Sequence, residues 1–335
     1  MFIVLYQNNW KISDMSYSIA IRTLGTSGDK FVRELDSISK QTIQPDKVLI
    51  YIAEGYDRPS FQIGKEEYVW VKKGMVAQRA LPYAEIESDY ILLLDDDVVL
   101  APDSVSKLLG VAKTENADVV GADTFKNQNM ALTSKVFALL TNWIYPHSDK
   151  NWAFKMHSHC GFSYLNNPIK DYYLSQSCAG PASLWRKDTL LNLHLEDELF
   201  LDSLGFAYGD DLLEFHKVYV NGFKLLVHYN CGIDHLDGKS SSAAYHSNER
   251  KFYVRSKSSF ILWWRTCFQV RSCKTVVAII YCTKVIWLFF VNCISAIAFK
   301  NIRIPYLYVR GVLDAWQFVH SSEYCQIPLF NSYKK

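Results

Sequence analysis

Three consecutive carboxylates interrupt an apolar run in Ile91-Leu92-Leu93-Leu94-Asp95-Asp96-Asp97-Val98-Val99-Leu100. Side by side, such groups repel one another unless a cation is shared among them. Hard oxygen ligands at this spacing suit Mg2+ or Mn2+, whose shell is commonly completed by a substrate's phosphates. The plainer reading is an acidic turn at a strand end. A second acidic pair, Asp210-Asp211, follows Gly209 where a helical pattern starts. A helix N-terminus favours acids in any case, so position alone does not make that pair chemical. Gly180, within Ser177-Cys178-Ala179-Gly180-Pro181-Ala182, suits either a close approach of backbone to a ligand or a plain tight turn.

The elements around these residues have the pattern of an α/β domain. Four large aliphatics before Asp95 suit a strand buried on both faces, as in a parallel sheet flanked by helices. In open α/β sheets ligands sit beyond the carboxyl ends of the strands, which is where the three acids fall. Residues 17–24 read as a first strand, followed by a loop containing Gly25, Ser27 and Gly28. A helix over 30–41 presents Phe31, Leu35 and Ile38, and a second strand over 47–52 closes at Ala53-Glu54-Gly55. That is one right-handed βαβ unit. A short strand over 68–71, a helix over 75–87 carrying Gln78 and Arg79, a helix from 104 to about 113 and a buried strand over 118–122 follow. The stretch 125–175 is aromatic and irregular. Gly222 ends the helix that begins at the acidic pair, and 223–228 reads as a strand leading to the polar loop His235-Leu236-Asp237-Gly238.

Length and composition fit one large domain, or one domain with an appendage: 335 residues, 49% apolar and 15% aromatic, exclude disorder. Eight cysteines without a CxxC pair argue against a zinc site or a thioredoxin-like motif, and reduced thiols in a cytosolic setting are expected. The net charge of +2 conceals an asymmetry: residues 251–335 carry 12 Lys/Arg and two acids, residues 1–250 carry 24 bases and 32 acids. The basic, aromatic tail therefore faces something anionic. Membrane lipid fits better than nucleic acid, because the bases are interleaved with long apolar runs. Within it, residues 276–299 hold a single charge, Lys284, over a length that could span a bilayer. Lys284, Asn292 and Ser295 share an arc of about 80° at roughly 100° per residue, a weak polar stripe that favours a helix lying in the interface over a span or a buried soluble helix. The opening Met1-Phe2-Ile3-Val4-Leu5-Tyr6 lacks a basic segment, so no signal peptide is expected. The expected division is a catalytic domain over 1–250 and a membrane-associating helical region over 251–335.

Taken in order, these pieces resemble the family-2 glycosyltransferases of the GT-A fold, a Rossmann-like, mostly parallel sheet flanked by helices. The likeness covers roughly residues 17–240. It is carried by Ser18-Ile19-Ala20-Ile21-Arg22-Thr23, Ser37 to Thr42, Ala77-Gln78-Arg79-Ala80, Asp95-Asp96-Asp97, Gly180, Gly209-Asp210-Asp211 and His235. The resemblance implies transfer of one sugar, with inversion, from a nucleotide-diphosphate sugar (a UDP-sugar first) to a glycan or lipid-linked acceptor of a bacterial surface polysaccharide. It implies Mn2+ or Mg2+ at the departing diphosphate. On this reading Thr23, Glu54, Arg79, Asp95 and Asp96 belong to the donor site, and Asp97, Asp95 and His235 to the metal. Asp211 is the general base, with Asp210 in the place of the family's Glu. The sequence departs from relatives at Ala53-Glu54, where many carry an Asp pair, and at Ala80, where many carry Asn. The Gln-x-x-Arg-Trp signature of processive synthases is missing, since Trp263-Trp264-Arg265 runs in the reverse order. The tail resembles that of enzymes held at the cytoplasmic face of the bacterial inner membrane as peripheral or monotopic proteins. Two other readings of the same residues are a nucleotidyltransferase, with Gly25, Gly28 and Lys30 as a thin phosphate loop, and a catalytically silent glycan-binding or scaffold subunit.

Overall fold

The structure, a computed structural model, describes residues 15–124, 131–141, 145–204, 209–236 and 249–335. The opening run 1–6, Phe206-Ala207-Tyr208 and Asp237-Gly238 lie outside them. The N-terminal half runs β1 (Tyr17–Thr23), α1 (Asp29–Ser39), β2 (Val48–Ala53), β3 (Glu66–Val71), β4 (Tyr90–Asp95), β5 (Val98–Leu100), α2 (Ser104–Thr114) and β6 (Val119–Ala122). Then come α3 (Leu132–Thr141), β7 (Tyr145–His147), β8 (Phe154–Met156), β9 (Phe162–Leu165), β10 (Tyr172–Leu174), β11 (Ala182–Arg186) and α4 (Lys187–Asn192). A 3-10 segment (Leu195–Leu204), α5 (Asp210–Val220), β12 (Leu225–His228) and β13 (Ile233–His235) complete the body. The tail is α6 (Arg250–Trp263), a π-helical turn (Trp264–Phe268), α7 (Lys274–Ala298), α8 (Arg303–Val319) and the short α9 (Ser322–Cys325).

Among the described residues the main sheet has eight strands in the order β10-β12-β6-β11-β4-β1-β2-β3. β1 lies parallel to β2 and β4, β2 to β3, and β6 to β12, while β11 runs antiparallel between β4 and β6. Alternation of side chains along each strand divides the core in two. Ile19, Ile21, Leu92 and Leu94 face Phe31, Leu35, Leu108 and Leu109. Ala20, Ile91 and Leu93 face Trp185, Phe215 and Val218 on the other side. Both faces are covered, which is why β2 and β4 read as continuous apolar runs. Within the aromatic middle β7, β9 and β8 form a small three-stranded sheet.

The expected helix over 75–87 is absent: 75–79 is a tight turn followed by irregular chain. Pro82 disfavours helical backbone at Leu81, Tyr83 adopts φ +46°, and the Asp202 carboxylate accepts the amides of Val76 (3.0 Å) and Ala77 (2.9 Å). The tail does not hang free. A third core joins Val76, Met156, Cys160, Leu201 and Leu213 of the body to Phe260, Leu262, Trp263, Cys267, Tyr281 and Ala315 of the tail helices. Body and tail also share an ion cluster in which Arg265, Lys217 and Glu198 are buried and Asp197 is part-exposed. Arg265 of the π turn forks onto Glu198 (2.6 and 3.1 Å), and Lys217 of α5 reaches Glu198 (3.2 Å) and Asp197 (3.1 Å).

Candidate active site

The parallel register of β1 and β4 places Arg22 beside Asp95 at the carboxyl end of the sheet. The Arg22 guanidinium forks onto Asp95, Nε to Oδ1 at 2.5 Å and Nη2 to Oδ2 at 3.2 Å. Thr23 Oγ1 donates to Asp96 Oδ2 at 2.5 Å. Asp97 points elsewhere, to His235, whose Nε2 lies 3.0 Å from Oδ1. That pair exists because β13 runs antiparallel to β5, with His235 opposite Val98. The three consecutive acids thus have three separate partners, which relieves the repulsion their spacing creates.

Arg79, from the tight turn, lies beneath the crevice with its side chain only 6% exposed. Its Nη1 contacts Asp211 Oδ1 and donates to Glu214 Oε2 at 2.8 Å. Its Nη2 donates to the Gly180 carbonyl at 2.9 Å and reaches Asp95 Oδ1 at 3.4 Å. Gly180 N–H in turn donates to Asp211 Oδ2 at 3.1 Å. A Cβ at Gly180 would stand 2.0 Å from Asp211 Oδ1, so the close approach that glycine permits is to this carboxylate. Gly209 caps α5 at φ +88° and packs under Leu262 of α6, which fixes the helix start carrying Asp210 and Asp211. The Asp211 side chain is 36% exposed towards the crevice, whereas that of Asp210 is 11% exposed. Asp210 Oδ2 makes no hydrogen bond, and its nearest cations are Arg22 at 3.8 Å and Arg79 at 4.0 Å.

These environments separate the acids electrostatically. Burial works to raise the Asp95 pKa, but the Arg22 and Arg79 guanidiniums override it and hold the carboxyl at about 2. Burial, with Asp211 alongside, pushes Asp210 up to about 7 against the pull of the same two arginines. Asp96 and Glu214 are also raised, each chiefly by burial. Glu54, just past the end of β2, is exposed, and its backbone N–H bonds the Val71 carbonyl at the same sheet edge.

Among the described residues no three His, Cys, Asp or Glu side chains gather into a complete metal-holding set. Asp97 with His235 nonetheless fits a cation that keeps waters and takes the rest of its shell from phosphate oxygens. Both oxygens of Asp95 are held by arginine. Three partners of the site escaped reading from sequence. Arg22 pairs with Asp95, 73 residues away in the chain, and Glu214 with Arg79, 135 residues away. The spacing of Glu214 one turn beyond Asp210 was its only local sign. Glu34 is wholly buried on the apolar face of α1, and burial together with Asp96, Asp95 and Asp97 raises its carboxyl well above the usual range. A glutamate in register with Phe31 and Ile38 was the signal for it.

A mostly parallel sheet with an acid-lined crevice at its carboxyl edge is the arrangement of α/β enzymes that bind their ligands beyond the strand ends. The profile of "Glycosyltransferase like family 2" matches residues 27–253, and the chain belongs to that family. Curated proteins give no match. Three solved structures of S. aureus TarS residues 1–349 are similar in fold. The complex with UDP-GlcNAc has a TM-score of 0.52 at 13% identity, over 90% of this chain and 81% of that one. TarS 1–349 alone gives 0.53 at 14% identity and the UDP complex 0.52 at 13%, each over 91% of this chain and 81% of the other.

Proposed function

We propose that the enzyme transfers a single sugar, with inversion, from a nucleotide-diphosphate sugar to a hydroxyl of a glycan or lipid-linked acceptor at a membrane surface. The observation that carries this reading is the meeting of arginine-tethered Asp95, the Asp97–His235 pair and the part-exposed Asp211 at one sheet edge. A UDP-sugar is the first donor to test, since the TarS structures of similar fold hold UDP-GlcNAc and UDP.

On this proposal Asp211 takes the proton of the acceptor hydroxyl. The acceptor oxygen forms its bond to the anomeric carbon from the face opposite the diphosphate as the carbon–oxygen bond to the diphosphate breaks. Arg79 and the Gly180 N–H fix the Asp211 carboxylate in place for that transfer. Asp210, pushed up to about 7 by burial and by Asp211, carries a proton part of the time at neutral pH, which lessens the like charge next to Asp211. Arg22 and Arg79 keep Asp95 ionised, ready to accept a hydroxyl of the donor ribose. Mn2+ or Mg2+ held by Asp97 and His235 would neutralise charge developing on the leaving diphosphate.

Calorimetric titration with UDP, GDP and TDP, each with and without Mn2+, tests the reading. One nucleotide should bind, only with the metal, and binding should vanish in Asp97→Ala. If folded protein binds none of the three, a donor site is ruled out and the glycan-binding scaffold takes its place.

A further inference from the structure

The membrane contact in the proposed function leaves open whether α7 crosses the bilayer, since it is the one described helix long and apolar enough to do so. On that reading of a membrane-held enzyme, we infer that α7 and α8 lie flat on an anionic lipid surface as a monotopic platform and that α7 does not span. Three observations carry this. The polar side of α7 faces inward: Lys284 and Asn292 are buried, Lys284 Nζ donates to the His159 carbonyl of the body (3.0 Å) and to Ser259 Oγ of α6 (3.1 Å), and Asn292 bonds the Leu288 carbonyl of its own helix. On the same side Tyr281 stacks on Trp263 with ring centroids 4.1 Å apart, and Tyr308 of α8 donates to the Val285 carbonyl. Lys284 is the eleventh of 25 residues, so in a spanning helix it would sit near the bilayer centre. It would carry with it the 157–160 loop and α6, which bears Arg250, Lys251, Arg255 and Lys257. Hydrocarbon does not accept such a load of charge and irregular backbone.

The opposite face is the second observation. Ile279, Ile286, Phe289, Phe290 and Ile297 are exposed and lie about 120–160° around the helix from Lys284 at roughly 100° per residue. α8 adds Tyr306, Val309, Leu313 and Trp316 on its own exposed face, opposite the buried Ile304, Tyr308, Gly311 and Ala315. The third is charge. Exposed Lys274 and Lys300 bracket α7, and Arg303 and Arg310 flank the α8 face, the former paired with Glu249 and the latter with Asp314; residues 251–335 carry 12 bases against two acids, with Arg265 and Lys284 among the bases turned inward. An apolar face rimmed with cations, attached to a soluble body by its polar side, is complementary to a bilayer containing anionic lipid.

The test uses the full-length protein in sealed inside-out membrane vesicles from expressing cells, labelled with a membrane-impermeant maleimide. In one variant Cys282, Cys293 and Cys325 are changed to Ser, leaving exposed Cys273 ahead of α7. In a second, Cys273→Ser is added and Lys300→Cys marks the far end. Flat binding predicts that both positions label from outside without detergent. If either labels only after permeabilisation, α7 spans and the inference falls. Flotation with phosphatidylcholine vesicles, with and without phosphatidylglycerol, supplies a second arm. Ile286→Asp with Phe290→Asp should lower partitioning into the anionic vesicles by about tenfold or more, with nucleotide binding unchanged. Unaltered partitioning, or a wild-type protein that binds no vesicle and sediments as a dimer through this face, overturns it. Neither arm reads turnover, so failure here is distinct from failure of the transferase reading.

Discussion

At the scale of single residues the site depends on giving neighbouring carboxylates different jobs. Asp211 faces the crevice and Asp210 lies beneath it, so their amide variants should differ in kind. Asp211→Asn keeps the shape but not the basicity. Turnover should fall about a hundred- to ten-thousand-fold while metal-dependent nucleotide binding, followed by calorimetry, stays near wild type. Near-normal turnover would move the base elsewhere. Asp210 makes its mark on stability. Its folded pKa of about 7 exceeds the unfolded carboxyl value, so the native state binds the extra proton. Its contribution is fully present below about pH 4, declines as pH rises, and is lost once pH passes about 7. Asp210→Asn removes that penalty, so the gap between the variant's melting temperature and that of wild type should rise from pH 4 to pH 8. A gap constant across this range would show that Asp210 ionises as freely in the fold as outside it. The acids were legible in sequence because their types and strand-end positions are local facts. Their pairings were not: Arg22 gains its contact from β-sheet register, and Arg79, although expected as a donor-site residue, gains its carboxylate contacts from a turn held by Asp202, neither of which leaves a pattern near Asp95.

At the scale of elements, β1, β2 and β4 could be read from sequence because a strand covered on both faces must be apolar throughout, and α1 because its buried residues recur at helical spacing. The 75–87 segment misled for the converse reason. Its apolar spacing is that of a helix, but Pro82 and the Asp202 carboxylate reassign its backbone. β13 is only three residues long and exists by pairing with β5, so sequence alone had nothing periodic to offer there. The junction of the 3-10 segment, α5 and the π turn was equally silent, since Glu198, Lys217 and Arg265 become a cluster only when three distant segments meet. That cluster invites a direct test. Glu198→Ala leaves two wholly buried cations with Asp197 as their remaining acid, and loss of one partner in such a group costs about 3–5 kcal/mol. Chemical denaturation should register the loss in full. A change under 1 kcal/mol would mean the cluster is solvated or rearranges, with no clasping role between body and tail.

At the scale of the whole molecule, composition separates an acidic body from a basic tail, yet the physical core does not divide there. Phe260, Ile261, Leu262 and Trp263 pack with Val76, Leu201 and Leu213, and Leu262 rests against Gly209 at the start of the helix bearing Asp211. The tail therefore has two faces with opposite duties, one completing the catalytic body and one left apolar to solvent along α7 and α8. Truncation at residue 249 distinguishes this arrangement from that of a detachable anchor. A detachable anchor would leave a soluble body that binds nucleotide as the full chain does. Removal of α6 to α9 here strips the cover from the third core and takes Arg265 from Glu198, so the truncated chain should be insoluble or melt well below the full-length protein, with nucleotide binding lost alongside. Truncating at residue 273 instead keeps α6 and the Arg265–Glu198 pair but removes α7 to α9, and with them the part of the third core made by Tyr281, Ala315, Tyr324 and Phe330, a smaller loss than the cut at 249. That chain should retain measurable donor binding while losing its affinity for anionic vesicles. If the cut at 249 yields a stable, nucleotide-binding body, the shared core contributes little to folding and the tail is an appendage after all.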